Sequence, residues 1–458
     1  FFMFKIKSFF SKKGIVAVIL IVALIAFFGL WSIVSGGYDK QNTTILFLKK
    51  FIPSQIARKV RDTVFIIPDL KERNKFLSKI VKKYDQGYNG EIFNEEIVLS
   101  KKNKKKYFIK EFFLPFPRLD TRLGWAGEKN STRAHHLIIA KDKVITISGE
   151  GETIYFIKNN IFNTQLNQKK IPNNIQNLLV ENNYKLIGIR DLYLIDKKLY
   201  ISLIFKNETG YSINAYRADL NFEKLDFKLF FETKEYWKDY NVFSGGRFFD
   251  YKENKILFTI GYANIKGAAQ NLNSLLGKII AIDKQNKEYK IVSMGHRNPQ
   301  GLYYIKDLDI IINTEHGPKG GDEINVNYQK SNQTPNYGWD IASYGTTYSK
   351  KDIFKKSHSK YGFIEPLKYY VPSIGISQVL YMSNKFNEDN KKYLYVTSLR
   401  AGSIYVIEIN DDFNQIINED RIYFQQRIRD IDYDKENDLF FLIFENIPSI
   451  GVLKQSSE

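Results

Sequence analysis

"GGRFFDYKENKILFTIG", Gly245 to Gly261, holds two apolar segments joined by a short polar turn. Aromatic and β-branched residues favour a pleated surface, so the segment reads as strand, turn, strand. The pattern recurs along the chain. "KVITIS" starts at Lys143, "KLYISL" at Lys198, "DIIINT" at Asp309, "YLYVTS" at Tyr393 and "DLFFLIF" at Asp438. Each follows an apolar strand and a polar turn.

Anchoring these units on Val144, Leu199, Ile256, Ile310, Leu394 and Leu439 gives spacings of 55, 57, 54, 84 and 45 residues. A repeat that forms one propeller blade takes about 40–50 residues, so the 84-residue step implies an insertion of roughly 30. Two internal echoes support the repeat. "IRDLYLIDKKLYIS" from Ile189 matches "IRDIDYDKENDLFFL" from Ile428, and "TISGEGETIYFI" from Thr146 matches "VTSLRAGSIYVI" from Val396. Six sheets set radially protect their edges and leave a central channel, whereas a two-sheet sandwich gives no reason for six similar units. The expected fold is all-β: a six-bladed β-propeller over residues 92–458.

Composition agrees. The 458 residues are 43% hydrophobic, with 30 Tyr and 35 Phe against 11 Pro. No cysteine occurs, which excludes disulfides, thiolate metal sites and cysteine nucleophiles. The formal charge of +18 raises nucleic acid as a partner. No helix-turn-helix, zinc finger or aromatic RNA-binding strand accompanies it, and much of the lysine sits in turns, so the charge reads as a solvated surface.

"GIVAVILIVALIAFFGLWSIV", Gly14 to Val34, is 21 residues without a charge. That length crosses roughly 30 Å of hydrocarbon. Lys5, Lys7, Lys12 and Lys13 precede it and the next basic residue is Lys40. The asymmetry predicts a basic cytoplasmic tail (1–13), a single-pass inner-membrane anchor (14–34) and a periplasmic remainder. A cleaved signal peptide would carry an apolar core of only about 7–15 residues and an A-x-A-like site, which "VSG" does not supply. Pro53 and Pro68 each open a helical pattern, so residues 35–91 read as a helical stalk.

In a propeller the loops entering the innermost strands meet at one mouth of the channel. "GHRNPQG" from Gly295, "EHGPKGGDE" from Glu315, "SLRAG" from Ser398 and "RIRD" from Arg427 are such loops. Arg297, Arg400, Arg427 and Arg429 are therefore expected around one basin. Guanidiniums so gathered repel one another unless an anion neutralises them, and arginine pairs bidentately with carboxylates. The competing reading pairs each arginine with a neighbouring acid such as Asp430 or Glu323.

Together with "NYGWDIASYG" (Asn336 to Gly345), "VPSIGIS" (Val371 to Ser377) and "AQNLNSLLGKIIAID" (Ala269 to Asp283), these motifs follow a known order. The sequence resembles the pyrroloquinoline quinone-dependent soluble glucose, sorbosone and aldose sugar dehydrogenases over roughly residues 130–450. The resemblance implies that Arg297, Asn298, Gln300, Arg400, Arg427 and Arg429 contact the quinone cofactor. It implies that the carbonyls of Gly317 and Pro318 bind a Ca²⁺ beside it, and that "NYGWDIASYG" supplies an aromatic rim. The cofactor carries three carboxylates, which the arginines match, and Ca²⁺ takes oxygen ligands. Electrons would pass to a membrane quinone or cytochrome.

The resemblance breaks at the base. The family places a histidine four residues before the arginine of its "GGR"-type strand; Phe243 stands there. The acid that orients this histidine is replaced by Tyr262. Losing a positioned base typically costs about 10²–10⁴ in rate. His136, which opens the first unit, could reach the same mouth and substitute, and so could His316, which is expected instead to hydrogen-bond within its own loop; the competing reading gives both histidines structural roles. Two function classes follow. One is a membrane-tethered quinoprotein dehydrogenase acting on a sugar or related alcohol. The other is a propeller that keeps the basin without the chemistry, binding a carbohydrate, an anionic ligand or a protein. Lactonase and low-density-lipoprotein-receptor-type propellers explain the motifs less well.

Overall fold

The computed structural model describes residues 92–116, 134–159, 161, 166–329, 333–348, 354–383, 391–424 and 426–456. The expected tail, anchor and stalk lie outside them. Among the described residues the single α-helix, Ile175–Glu181, has 7 residues, and no helix is long and apolar enough to cross a membrane.

Twenty-five strands, β1–β25 in chain order, are described, and they form six sheets. Five sheets are consecutive four-stranded meanders: β3–β6 (136–171), β7–β10 (185–232), β11–β14 (245–294), β15–β18 (299–370) and β19–β22 (376–423). The sixth joins both parts of the chain. β23–β25 (428–455) pair with β2 (Lys106–Phe113), and β1 (Ile92–Leu99) lies outside it. Tyr107 faces Gln455 and Phe113 faces Ser449 across that junction. Residues 92–113 were legible as strands, but closure of the ring by them was not.

The innermost strands are β3 (His136–Ala140), β7 (Lys185–Ile195), β11 (Gly245–Tyr251), β15 (Pro299–Ile305), β19 (Ile376–Ser383) and β23 (Ile428–Asp434). Each packs beside the next, and β23 returns to β3, closing the ring. The six sequence anchors all fall on second strands, such as β12 (Lys255–Ile260) and β24 (Leu439–Phe444). These strands are buried on both faces by neighbouring blades, which is why they read as continuous apolar runs rather than alternating ones.

Among the described residues, the turns that enter five of the six second strands share a conformation. Lys141, Asp196, Lys197, Asn254, Asp309 and Asp438 all have positive φ. Asp196 and Lys197 together make a two-residue hairpin loop with both φ positive, the type whose twist matches the flanking strands.

Each blade interface has its own apolar cluster. Phe248, Phe258 and Trp237 lie between the second and third blades, and Phe441, Phe156 and Phe112 between the sixth and first. The insertion of the fourth blade lies between β17 (Asp322–Asn327) and β18 (Lys368–Tyr370). It is tied down by the Tyr337 hydroxyl, which donates to the Val326 carbonyl at 2.9 Å.

Candidate functional site

β-Bulges turn the inner strands toward the axis. Register breaks fall between Ile189 and Asp191 in β7, Gly245 and Phe248 in β11, Pro299 and Gly301 in β15, and Ile428 and Asp430 in β23. The residues inside these breaks include Arg190, Arg247, Gln300 and Arg429. A bulge re-aims a side chain at the cost of one pairing position. At Gly246, φ is +113° and an added Cβ would stand 2.4 Å from Arg190 Cβ, so only glycine lets the β11 bulge pass that side chain.

A cavity of ≈ 220 Å³ opens at this end, lined by Arg190, Arg297, Arg427 and Arg429 together with His136 and His316. Asn298, Gln300 and Gly317 line it too. The structure thus brings together three of the four expected arginines. Arg400 is a correction. It does not line the cavity; it is exposed, and its Nη1 donates to the Ser373 carbonyl at 3.3 Å. Its loop follows β20 (Lys392–Ser398) and turns outward, while neighbouring Leu399 faces the cavity. Pro318 also stays outside the lining, with its carbonyl 3.4 Å from Ser373 Oγ.

Glu445 is fully buried and accepts from Arg427 Nε at 2.8 Å and from Arg429 Nε at 2.6 Å, so one carboxylate serves two guanidiniums. Arg297 is 5% exposed; its Nη1 donates to the His316 carbonyl at 3.0 Å and its Nε is buried without a partner. Burial lowers the pKa of both Arg297 and Arg429. Burial first, and then the Arg429, Arg297 and Arg427 charges, hold His316 down at about 4, against the opposing pull of Asp322. Among the described residues no carboxylate lines the cavity. The two acids offered as their partners are engaged elsewhere: Asp430 serves Arg247, and Glu323 stands 3.5 Å from His358.

Asn298 and Gln300 hold the basin together. Asn298 Oδ1 accepts from Gly245 N at 3.2 Å and Gln300 Nε2 at 3.1 Å, and Gln300 Oε1 accepts from Arg429 Nη1 at 2.9 Å. Beside them, aromatic rings cover Arg297. Its guanidinium carbon lies 4.2 Å from the centre of the Phe243 ring, 5.2 Å from Trp339 and 6.0 Å from Tyr262. The aromatic contribution of "NYGWDIASYG" is thus Trp339. Burial raises the Tyr262 hydroxyl pKa, against Arg297, and it donates to Asn264 Oδ1 at 2.7 Å, so it is no base at neutral pH.

At the axis sits Arg247, which sequence reasoning left without a role. Its Nη1 is 2.6 Å from Asp191 Oδ1, 3.1 Å from His136 Nδ1 and 3.2 Å from Asp430 Oδ2. These three residues have the spacing of a metal-ligand set, but the guanidinium fills the place an ion would take. The signal for Arg190 and Asp191 was present in the echo between "IRDLYLID" and "IRDIDYD". It superposes Arg190 on Arg429, which both line the cavity, and Asp191 on Asp430, which both bind Arg247. The His316 ring makes no hydrogen bond within its loop among the described residues; its backbone N–H donates to the Asn298 carbonyl.

Comparison with known proteins agrees with this geometry. The family model for glucose/sorbosone dehydrogenase matches residues 187–448. The aldose sugar dehydrogenase YliI of Escherichia coli K12 is 31% identical over 238 residues, covering 48% of this chain and 62% of that protein. The chain thus spans less than two thirds of that relative's length. A crystal structure of a glucose dehydrogenase has a TM-score of 0.60 at 20% identity, covering 72% of this chain and 98% of that one. The PQQ-bound form of the aldose sugar dehydrogenase of Streptomyces coelicolor has a TM-score of 0.52 at 15% identity, covering 70% and 93%. At these identities the two structures share the propeller fold.

Proposed function

Because the chain belongs to the glucose/sorbosone dehydrogenase family, we propose that it binds pyrroloquinoline quinone in the arginine-lined cavity and oxidises a sugar or related alcohol. The observation that carries this reading is Arg297: it is 5% exposed, makes no ion pair among the described residues, and faces a cavity that Arg190, Arg427 and Arg429 also line. A buried cation without a counter-charge is costly, so the basin is built for an anion. The partnerless Nε of Arg297 gives such a guest a donor. Arg190, Arg297, Arg427 and Arg429 would hold the carboxylates, with Asn298 and Gln300 fixing their positions. When bound, the quinone supplies the two-electron, hydride-accepting centre.

Calcium fits less completely. The chain offers the carbonyls of Gly317 and Pro318, while both oxygens of nearby Asp322 accept from the backbone N–H groups of Gly317, Gly375 and Ile376. Two neutral oxygens fall short of the six to eight that Ca²⁺ takes, so the ion would depend on oxygens of the bound cofactor. The reading extends to the cell: residues 14–34 anchor the chain in the inner membrane with the N-terminus cytoplasmic, and the periplasmic propeller passes electrons to a membrane quinone or cytochrome.

A second reading has its own observation. Phe243, at the family's base position, stacks on Arg297, and Tyr262 packs beside it at 5.6 Å between ring centres. That arrangement suits a propeller that binds an anionic ligand, a carbohydrate or a protein without oxidising anything. One experiment separates the readings. The full chain is titrated with pyrroloquinoline quinone and Ca²⁺, the quinone absorption is followed, and aldoses are then added. Binding followed by reduction supports the dehydrogenase, binding alone supports the second reading, and no binding removes the quinoprotein reading.

A further inference from the structure

We propose that His136, oriented by Asp430, is the proton acceptor of this site, a catalytic histidine on a different blade from the position the family uses. The proposal rests on the dehydrogenase reading.

His136 is the first residue of β3, is 2% exposed and lines the cavity with Arg297 and Phe243. Its Nδ1 lies 3.0 Å from Asp430 Oδ2, and its Nε2 is buried with no hydrogen-bond partner. The surroundings select the tautomer. Asp430 is an acceptor only, so two lone pairs would face each other across 3.0 Å unless Nδ1 carries the proton. The alternative, an unprotonated Nδ1 accepting from Arg247 Nη1 at 3.1 Å, is not needed. Both hydrogens of that nitrogen have carboxylate acceptors, Asp191 at 2.6 Å and Asp430 at 3.2 Å. The proton therefore sits on Nδ1, and Nε2 keeps its lone pair.

The charges around the ring keep it neutral and keep Asp430 ionised. Burial lowers the imidazole most, the hydrogen bond to Asp430 opposes this, and Arg247 and Arg429 lower it further, leaving about 4. Asp191 also stands 3.9 Å from Nδ1. Burial pushes Asp430 up, but Arg247 and the contacts with His136 outweigh it and leave about 2. A neutral imidazole fixed by an anion keeps its Nε2 lone pair free; the low pKa makes it a weaker base than an ordinary imidazole, so the role rests on its placement rather than on its basicity.

With the quinone bound, His136 Nε2 would take the substrate hydroxyl proton, and the ortho-quinone would supply the acceptor for the hydrogen that leaves the same carbon with its electron pair. The C–O bond becomes C=O, the substrate is oxidised by two electrons, and the imidazolium then releases its proton to water. Asp430 stays a carboxylate throughout.

The test uses the full chain loaded with pyrroloquinoline quinone and Ca²⁺. His136→Gln should slow quinone reduction by aldoses about 10²–10⁴-fold, with quinone affinity unchanged within about 3-fold (about 0.65 kcal/mol at most). In the unloaded protein at pH 7, ¹⁵N NMR should find the His136 proton on Nδ1 and none on Nε2. Wild-type protein that binds the quinone but never reduces it sinks the dehydrogenase reading. Wild-type reduction that His136→Gln leaves intact sinks only this proposal. So does a proton found on Nε2, which settles the matter even if the variant fails to fold.

Discussion

The guanidinium of Arg297 lies 4.2 Å from the centre of the Phe243 ring, so the side chain at the family's base position now covers a cavity cation. Phe243 also packs against the cluster of Tyr262, Ala269 and Trp339. A stacked aromatic–cation contact contributes about 0.5–2 kcal/mol depending on desolvation. Phe243→Ala should lower unfolding stability by on the order of 1–2 kcal/mol in urea titrations, through this contact and lost packing. An unchanged midpoint would mean that Arg297 is held by its backbone contacts alone.

Arg190 and Arg429 occupy equivalent bulges and both line the cavity, whereas Arg400 does not. Hydrogen bonds to charged groups contribute about 1.5–3 kcal/mol each. Arg190→Ala and Arg429→Ala should each weaken quinone binding by about 10- to 100-fold in equilibrium titrations, and Arg400→Ala by less than about 2-fold. Equal losses for all three would return Arg400 to the basin.

Arg247 neutralises two buried carboxylates, Asp191 and Asp430. Burial first, and then Asp430, raise Asp191 to about 6 even with Arg247 beside it. Removing one partner from a buried ion pair costs about 3–5 kcal/mol. Arg247→Met should lose stability on that scale, and adding Asp191→Asn should restore part of it. Chemical denaturation of both variants checks this; no recovery in the double variant would refute the assignment.

His136 titrates near 4 in the folded protein because burial disfavours its charge, against about 6.5 in an unfolded chain. As pH falls below 6.5 the unfolded state gains a proton that the folded state refuses until about pH 4, so folding weakens across that window. His136→Gln lacks this penalty. Between pH 7 and pH 4.5 the stability gap should shift toward the variant by on the order of 2–3 kcal/mol in urea titrations. A gap constant with pH would mean that the folded ring is not held neutral.

Much of the fold was legible because its signals are local. Second strands buried on both faces read as apolar runs, and positive-φ turns recur before them, so the six units could be counted without a partner strand in view. Arg297, Arg427 and Arg429 were legible as a set for the same reason: each begins or precedes an inner strand. Arg400 misled because its loop resembles the others in composition, but Leu399 faces the cavity and Arg400, the next residue, is exposed. Arg190 was missed, although the repeat of "IRD" from Ile189 and Ile428 placed it at the position equivalent to Arg429.

By itself the amino-acid sequence determined six apolar units, arginine-bearing loops at their edges and a phenylalanine where a histidine was due. Only the tertiary structure decided which charges cancel. Arg247 meets Asp430 across 183 residues of chain, and His136 meets it across 294. Such pairings depend on bulges and on the closed ring that seats β3 against β23. Electrostatic energy follows distance through space and burial, and neither is written in the spacing of residues along a strand.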